Sequence, residues 1–218
     1  MPYRDRTEAG RRLADALVAY RNQDTIVLAM PRGGVPVARE IALALHAPLD
    51  LIIVRKIGVP FQPEVAMGAV AEGEEPLVER SLDVIRAAGI TPAEFDEVLA
   101  MEAHELERRR RLYRGGRARA AAANKVAIVV DDGLATGASA RAALKSVRRW
   151  NPARLVLAVP VAATDSLRDI SSYADDVVCL EQHEPFYAIG GYYDDFRQVS
   201  DREVQDLLAE TAIARQQP

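Results

Sequence analysis

The run Val126-Ala127-Ile128-Val129-Val130 stops abruptly at Asp131-Asp132-Gly133. Five apolar residues without alternation are too few for a helix and too uniform for a strand with one wet face. They read as a strand covered on both sides. The next nine residues are equally constraining. Asp131 to Ser139 holds two carboxylates, two glycines and Thr136, and a helical pattern then runs to Trp150. Buried strand, tight turn and helix in that order form the repeating unit of a parallel α/β sheet.

The rest of the chain repeats that alternation. Thr7 to Tyr20 places Leu13, Ala16, Leu17 and Tyr20 at helical spacing, and Thr25 to Met30 is a buried-type strand broken by Pro31-Arg32-Gly33-Gly34. Val35 to His46 reads as a helix and Leu49 to Val54 as a second strand, with Arg55-Lys56 directly at its end. Leu155 to Val161 and Asp176 to Leu180 read as further strands, with a short helix over Ser166 to Tyr173 between them. Thr91-Pro92-Ala93-Glu94 and Ser200-Asp201-Arg202-Glu203 are capping boxes; the first opens a helix to about Tyr113, ended by Gly115-Gly116, and the second a helix to about Ala214. The expected fold is α/β, a mostly parallel sheet flanked by helices, in one domain over 1–218. Residues of about 57–120 are too many for a simple crossover and read as an inserted helical or hairpin flap.

Among these 218 residues a single cysteine, Cys179, allows neither an internal disulfide nor a cysteine-rich zinc site, which fits a cytoplasmic protein. No run of about 18 uncharged apolar residues is present, so no membrane partner is expected. The first residues lack the apolar core of a signal peptide. The net charge of −4 argues against a general nucleic-acid coat. Charge is nonetheless uneven. Glu72 to Glu107 contains 11 acidic and two basic residues, and Arg108 to Lys125 contains eight basic and no acidic ones. That pattern suits a solvated helix face, acid early and base late, as the helix dipole favours. It also suits a partner surface.

Ligands of open α/β sheets bind beyond the carboxyl ends of the strands. Three such ends carry polar groups here: Arg32-Gly33-Gly34, Arg55-Lys56 and Asp131 to Ser139. In the last, backbone N–H groups of Ala135, Thr136, Gly137, Ala138 and Ser139 at a helix start suit a phosphate. Asp131 and Asp132 would repel a phosphate and suit sugar hydroxyls or a hydrated Mg²⁺. There is no GxxxxGK[ST] and no GxGxxG, which excludes a Walker A loop and a dinucleotide fingerprint.

Val129 to Ser139 resembles the signature of the type I phosphoribosyltransferases. The resemblance implies that Asp131 and Asp132 bind the ribose hydroxyls of phosphoribosyl pyrophosphate, and that Ala135 to Ser139 hold its 5′-phosphate. It implies that Arg32, Gly33 and Gly34 form the pyrophosphate loop, that Arg55 and Lys56 are a catalytic basic pair, and that Mg²⁺ enters mainly through substrate and water near the two acids. It further implies that an acceptor nitrogen displaces pyrophosphate, that the protein is a homodimer and that 181–200 is a C-terminal hood. Within that hood Phe186, Tyr187, Ile189 and Asp194 are the candidate base-binding residues. A purine is the favoured acceptor. The chain departs from the 6-oxopurine pattern, with Ala135 where that group has an acid and no lysine in Ala158 to Ala163; Glu64 of the flap is then a candidate base. His46, His104 and His183 are spread apart and read as surface or capped residues. The alternative reading is a non-catalytic regulator of the same fold that contacts RNA or DNA through Arg108–Arg119.

Overall fold

The computed structural model describes residues 2–214. In chain order the elements are α1 (Arg6–Ala16), β1 (Thr25–Ala29), α2 (Gly34–Leu45), β2 (Leu49–Leu51), β3 (Val54–Val59), β4 (Gln62–Ala71), β5 (Leu77–Arg80), α3 (Leu82–Ala87), α4 (Pro92–Arg114), β6 (Val126–Val130), α5 (Ala138–Arg148), β7 (Arg154–Ala163), α6 (Thr164–Ile170), β8 (Asp176–His183) and α7 (Asp201–Ala214). Short 3₁₀ turns occupy Val18–Tyr20, Ser171–Tyr173 and Ile189–Tyr192.

Five strands form a sheet in the order β2-β1-β6-β7-β8, and every pairing in it is parallel. β6 is therefore the middle strand, and all five of its residues are buried. The strand side chains divide between two cores. Val27, Ala29, Ile128 and Val130 pack with α1, α2 and α7 on one face. Ile26, Leu28, Ala127 and Val129 pack with Leu144 and Val147 of α5 on the other. Coverage on both faces is why these strands carry continuous rather than alternating apolar runs.

The inserted segment begins earlier than its composition suggests. The apolar run Leu51-Ile52-Ile53-Val54 does not end as one strand: β2 stops at Leu51, and Val54 starts a separate antiparallel sheet, β3-β4-β5. Arg55 and Lys56 thus lie inside β3 and not at the end of a core strand. The small sheet packs on α5 through Val54, Ala69, Ala71 and Ala142, and on α4 through Ile57, Val59 and Phe95.

α4 starts where its local signals place it. Thr91 Oγ accepts from the Glu94 N–H, and the Glu94 carboxylate accepts from the Thr91 N–H at 2.8 Å. Gly115 ends it in the left-handed region at φ 54°. Its last turn is tied down by a buried ion cluster. Arg114 Nη2 donates to Glu72 Oε1 at 2.9 Å and to the Leu51 carbonyl at 2.7 Å, while Nε donates to Asp50 Oδ1 at 3.2 Å. Glu72 also accepts from the Ile53 N–H at 2.8 Å. One guanidinium therefore joins β2, β4 and α4, and it anchors the inserted segment to the edge of the parallel sheet.

Candidate active site

Asp131 and Asp132 follow the last residue of the middle strand, at the carboxyl end of the sheet. The chain there is fixed from both sides. The Leu134 N–H donates to the Val161 carbonyl and the Ala163 N–H to the Leu134 carbonyl, both at 2.9 Å. The Ser166 hydroxyl donates to the Ala135 carbonyl. Gly137 then adopts φ 73°, a left-handed conformation that a side chain would strain, and leads into α5. No side chain caps α5. Among the described residues the N–H groups of Ala135, Thr136 and Gly137 donate to no backbone carbonyl. Together with the first turn of α5, containing Ala138 and Ser139, they have the geometry that suits an anion.

The second loop closes on the first. A Cβ on Gly33 would lie 2.0 Å from Asp132 Oδ2, and one on Gly34 would lie 2.6 Å from the Val130 carbonyl. Only glycines allow the start of α2 to approach the two acids this closely. Two helix N-termini, those of α2 and α5, thus flank a pair of carboxylates.

Those carboxylates are unequal. Asp132 is buried, and its Oδ2 accepts from Arg6 Nε at 2.8 Å. Among the described residues no cation touches Asp131; its Oδ1 accepts from the Asp132 N–H at 2.9 Å. Burial, and then the charge of Asp132, push the Asp131 carboxyl well above the usual carboxylate range. Burial also pushes Asp132 up, against the pull of Arg6.

The basic candidates lie differently from the sequence expectation. Arg32 faces Asp201, with a 3.6 Å ion pair, at the start of α7. Arg55 and Lys56 project from opposite faces of β3: Arg55 binds Glu102 of α4 at 2.7 Å, and Lys56 lies 3.3 Å from Glu64. They do not act as a side-by-side pair in this arrangement. Glu64 is almost fully exposed on the hairpin.

The hood is built from both ends of the chain, which local pattern does not reveal. Tyr3 pairs with Tyr193: the Tyr3 N–H donates to the Tyr192 carbonyl, and the Asp194 N–H to the Tyr3 carbonyl, both at 2.8 Å. The Tyr193 hydroxyl donates to the Asp132 carbonyl at 2.6 Å. Phe186 is already stacked on Tyr192, with centroids 5.0 Å apart, and Ile189 packs over Gly133. Asp194 is exposed, and Tyr187 is 89% exposed. Of the four base-binding candidates, Tyr187 is the aromatic whose faces are uncovered. His183 lies tilted against Tyr192, with ring centroids 4.5 Å apart, and is 3.3 Å from Glu181; His46 is the left-handed C-cap of α2.

The Arg-rich stretch is largely committed. Arg108 and Arg109 share Glu105, and Arg110 and Arg111 share Glu107. Arg114 is buried, and Arg119 lies 3.6 Å over the Trp150 ring. These are i,i+3 and i,i+4 pairs, two glutamates answering four arginines around the last turns of α4. No helix among the described residues is long and apolar enough to cross a membrane.

Comparison with known proteins agrees with this geometry. The family profile described as "Phosphoribosyl transferase domain" matches residues 4–197. Two Mycobacterium tuberculosis proteins, "Putative phosphoribosyl transferase Rv0571c" from strain H37Rv and "Putative phosphoribosyl transferase MT0597" from strain CDC 1551, are each 45% identical over 204 residues, 94% of this chain and 46% of theirs. The chain thus spans about half the length of these curated relatives. The crystal structure of TT1426 from Thermus thermophilus is 40% identical, covers 96% of this chain and 99% of its own, and superposes with a TM-score of 0.80. With a profile that spans most of the sequence and a sheet of the matching topology, the chain belongs to the phosphoribosyl transferase domain family.

Proposed function

We propose that this domain transfers the ribose-5-phosphate of phosphoribosyl pyrophosphate to a nitrogen acceptor, with release of pyrophosphate. The observation that carries this reading is the juxtaposition at the end of β6: an uncapped loop and helix start from Ala135 to Ser139, beside the acids Asp131 and Asp132, with Gly33-Gly34 packed against them. The loop binds the 5′-phosphate through backbone N–H groups. The two acids accept the ribose diol. The glycine loop and the start of α2 face the pyrophosphate.

The acceptor nitrogen attacks C1 as the bond from C1 to the pyrophosphate oxygen breaks, so positive charge develops on the ring and negative charge on the leaving group. Fixed carboxylates and backbone dipoles favour that separation. Orientation of two bound reactants supplies about 7–11 kcal/mol at best. Lys56 is the better placed of the β3 cations to reach the leaving group. It shares the face of β3 that carries Val54 onto α5, and its pair with Glu64 is exposed and weak. Arg55 is held toward α4, and Arg32 would first have to leave Asp201.

The oxygen donors at the end of β6 suit a hard, hydrated Mg²⁺. No cluster of three or more candidate ligands occurs among the described residues. Asp131 and Asp132 would therefore hold the ion through substrate oxygens and water. When bound, it neutralises charge on the departing pyrophosphate.

The acceptor proposed is a nucleobase, a purine by preference, stacked on Tyr187 for about 1–3 kcal/mol. The homodimer is part of the same proposal and is read by sedimentation. The deciding test is pyrophosphate release from phosphoribosyl pyrophosphate and Mg²⁺ with a panel of free bases and small amines. Turnover with one member, abolished by Asp132→Asn, is the expected result. No turnover, together with no calorimetric binding of phosphoribosyl pyrophosphate, overturns the proposal.

A further inference from the structure

We propose that Arg6 of α1 is the positioning residue of the sugar-binding acid Asp132, and that it makes the aim of that acid depend on the seating of the hood. The inference rests on the assignment of Asp132 to the ribose diol. Arg6 lies 126 residues away in sequence, yet its Nε is 2.8 Å from Asp132 Oδ2, and each side chain is only about a tenth exposed. Its Nη1 donates to the Arg197 carbonyl at 2.9 Å, and its guanidinium lies 3.9 Å from the Phe196 ring centroid. Arg197 and Phe196 belong to the hood. One planar cation therefore touches the acid with one edge and the hood with another edge and a face.

Two further contacts hem Asp132. Gly33 stands against Oδ2, and the Tyr193 hydroxyl bonds the Asp132 carbonyl. Oδ1 accepts from no protein donor among the described residues, which leaves it for a sugar hydroxyl. The charged and titratable neighbours are few. Asp131 is the like charge beside Asp132, and Arg6 is the cation in contact. Burial keeps the Tyr193 and Tyr3 phenols protonated. Asp5, Asp195, Arg197 and Glu203 border the cavity of about 380 Å³ on the outer side of Arg6. Arg32, in the loop that carries Gly33, is turned to Asp201. Among the described residues no other cation pairs with Asp132. Without Arg6, Asp132 Oδ2 loses its partner, and the carboxylate can turn Oδ1 away from the position where a sugar hydroxyl would meet it.

The test uses Arg6→Met, Arg6→Lys and Phe196→Ala with two calorimetric probes, ribose-5-phosphate and 2-deoxyribose-5-phosphate, which differ by one hydroxyl of the diol. In Arg6→Met the affinity for ribose-5-phosphate should fall about tenfold, and the preference over the deoxy sugar should be largely lost. Arg6→Lys should recover most of the preference, and Phe196→Ala should lose a smaller part of it. A residue that only supports folding would weaken both sugars equally. Such an equal loss overturns the inference, as does Arg6→Met matching the wild type. Failure of the wild type to prefer ribose-5-phosphate would overturn the functional reading instead. Hydrogen exchange at the Asp132 amide, which should quicken in Arg6→Met and in Phe196→Ala, would then decide whether Arg6 and the hood position Asp132.

Discussion

The acids of α4 and the acids at the end of β6 are pushed in opposite directions. Hydrogen bonds from Arg108 and Arg109 bring Glu105 down to about 2, and those from Arg110 and Arg111 do the same for Glu107. Burial pushes Asp131 and Asp132 up, and Arg6 offsets only part of the rise at Asp132. The α4 glutamates choose their own partners one turn away, so their charge is favoured by the fold. The aspartates are placed by the sheet, whose packing fixes where β6 ends regardless of what its last residues prefer. Charge held against its own preference at the mouth of a parallel sheet is the usual mark of a ligand site. Charge that is locally satisfied is a property of the surface.

The strongest challenge to that contrast comes from Arg114, because its cluster belongs to the inserted segment yet is as buried as the β6 acids. Arg114→Met leaves Glu72 and Asp50 without their cation. The expected loss is about 3–5 kcal/mol in urea unfolding. Arg114→Met combined with Glu72→Gln should recover part of it, since one of the two stranded acids is then neutral and only Asp50 keeps its charge. A loss below about 1 kcal/mol would mean that the foot of the inserted segment behaves as exposed surface, and the distinction between the two regions would have to be redrawn.

Asp131→Asn sharpens the comparison from the other side. The folded-state carboxyl lies above its unfolded value, so its favourable contribution is fully present at low pH and is lost as pH rises through the folded pKa. At neutral pH the charge therefore opposes folding. The variant should lose about 10–100-fold in affinity for phosphoribosyl pyrophosphate, the equivalent of about 1.5–3 kcal/mol for charge-assisted bonds, while its thermal midpoint rises. Binding and stability moving together, up or down, would remove Asp131 from the class of strained functional groups.

Legibility in the sequence follows the range of the determining contacts. The start of α4 is readable because Thr91 and Glu94 bond each other within four residues, with Pro92 at the first helical position. The Asp131–Ser139 turn is readable because strand, turn and helix are contiguous. The break between β2 and β3 is not, since Leu51 to Val54 is apolar throughout and only tertiary packing decides that Val54 joins a different sheet. That hidden break is why Arg55 and Lys56 look like residues at a strand end. The Arg6–Asp132 bond and the Tyr3–Tyr193 bridge leave no local trace, because each joins positions more than a hundred residues apart. The Arg108–Arg111 run looks like a free basic patch in composition; the i,i+3 and i,i+4 geometry that commits it to Glu105 and Glu107 emerges once the helix register is known.

A smaller effect tests how local the α4 side of the contrast is. Thr91→Ala removes the capping oxygen, and about 1 kcal/mol should be lost. Hydrogen exchange should quicken over the first turn of α4 and leave β6 unchanged. Loss of protection in β6 would tie the helix start to the sheet more tightly than the short-range bonding of the cap implies.

The smallest effect is a dependence on pH. Glu105 and Glu107 have an ordinary value of 4.5 and lie at about 2 in the folded chain. Depressed carboxyls stabilise the fold above the unfolded pKa, and that contribution disappears as pH falls from about 4.5 toward 2. Both side chains are partly exposed, so water and salt screen the pairs, and each is worth only about 0.3–0.5 kcal/mol near neutrality. Glu105→Gln with Glu107→Gln should therefore lower the urea midpoint slightly at pH 7 and leave it nearly unchanged at pH 2, where the wild type has already lost most of that contribution. The double variant also frees Arg109, Arg110 and Arg111 from their glutamates, while Arg108 keeps Asp201 at 3.6 Å. If the α4 charge is surface chemistry alone, nucleic-acid affinity in the variant should rise with a steep salt dependence, while phosphoribosyl pyrophosphate binding stays at the wild-type level. A parallel fall in phosphoribosyl pyrophosphate binding would show that the helix face and the β6 acids form one electrostatic unit, and the opposition between them would be lost.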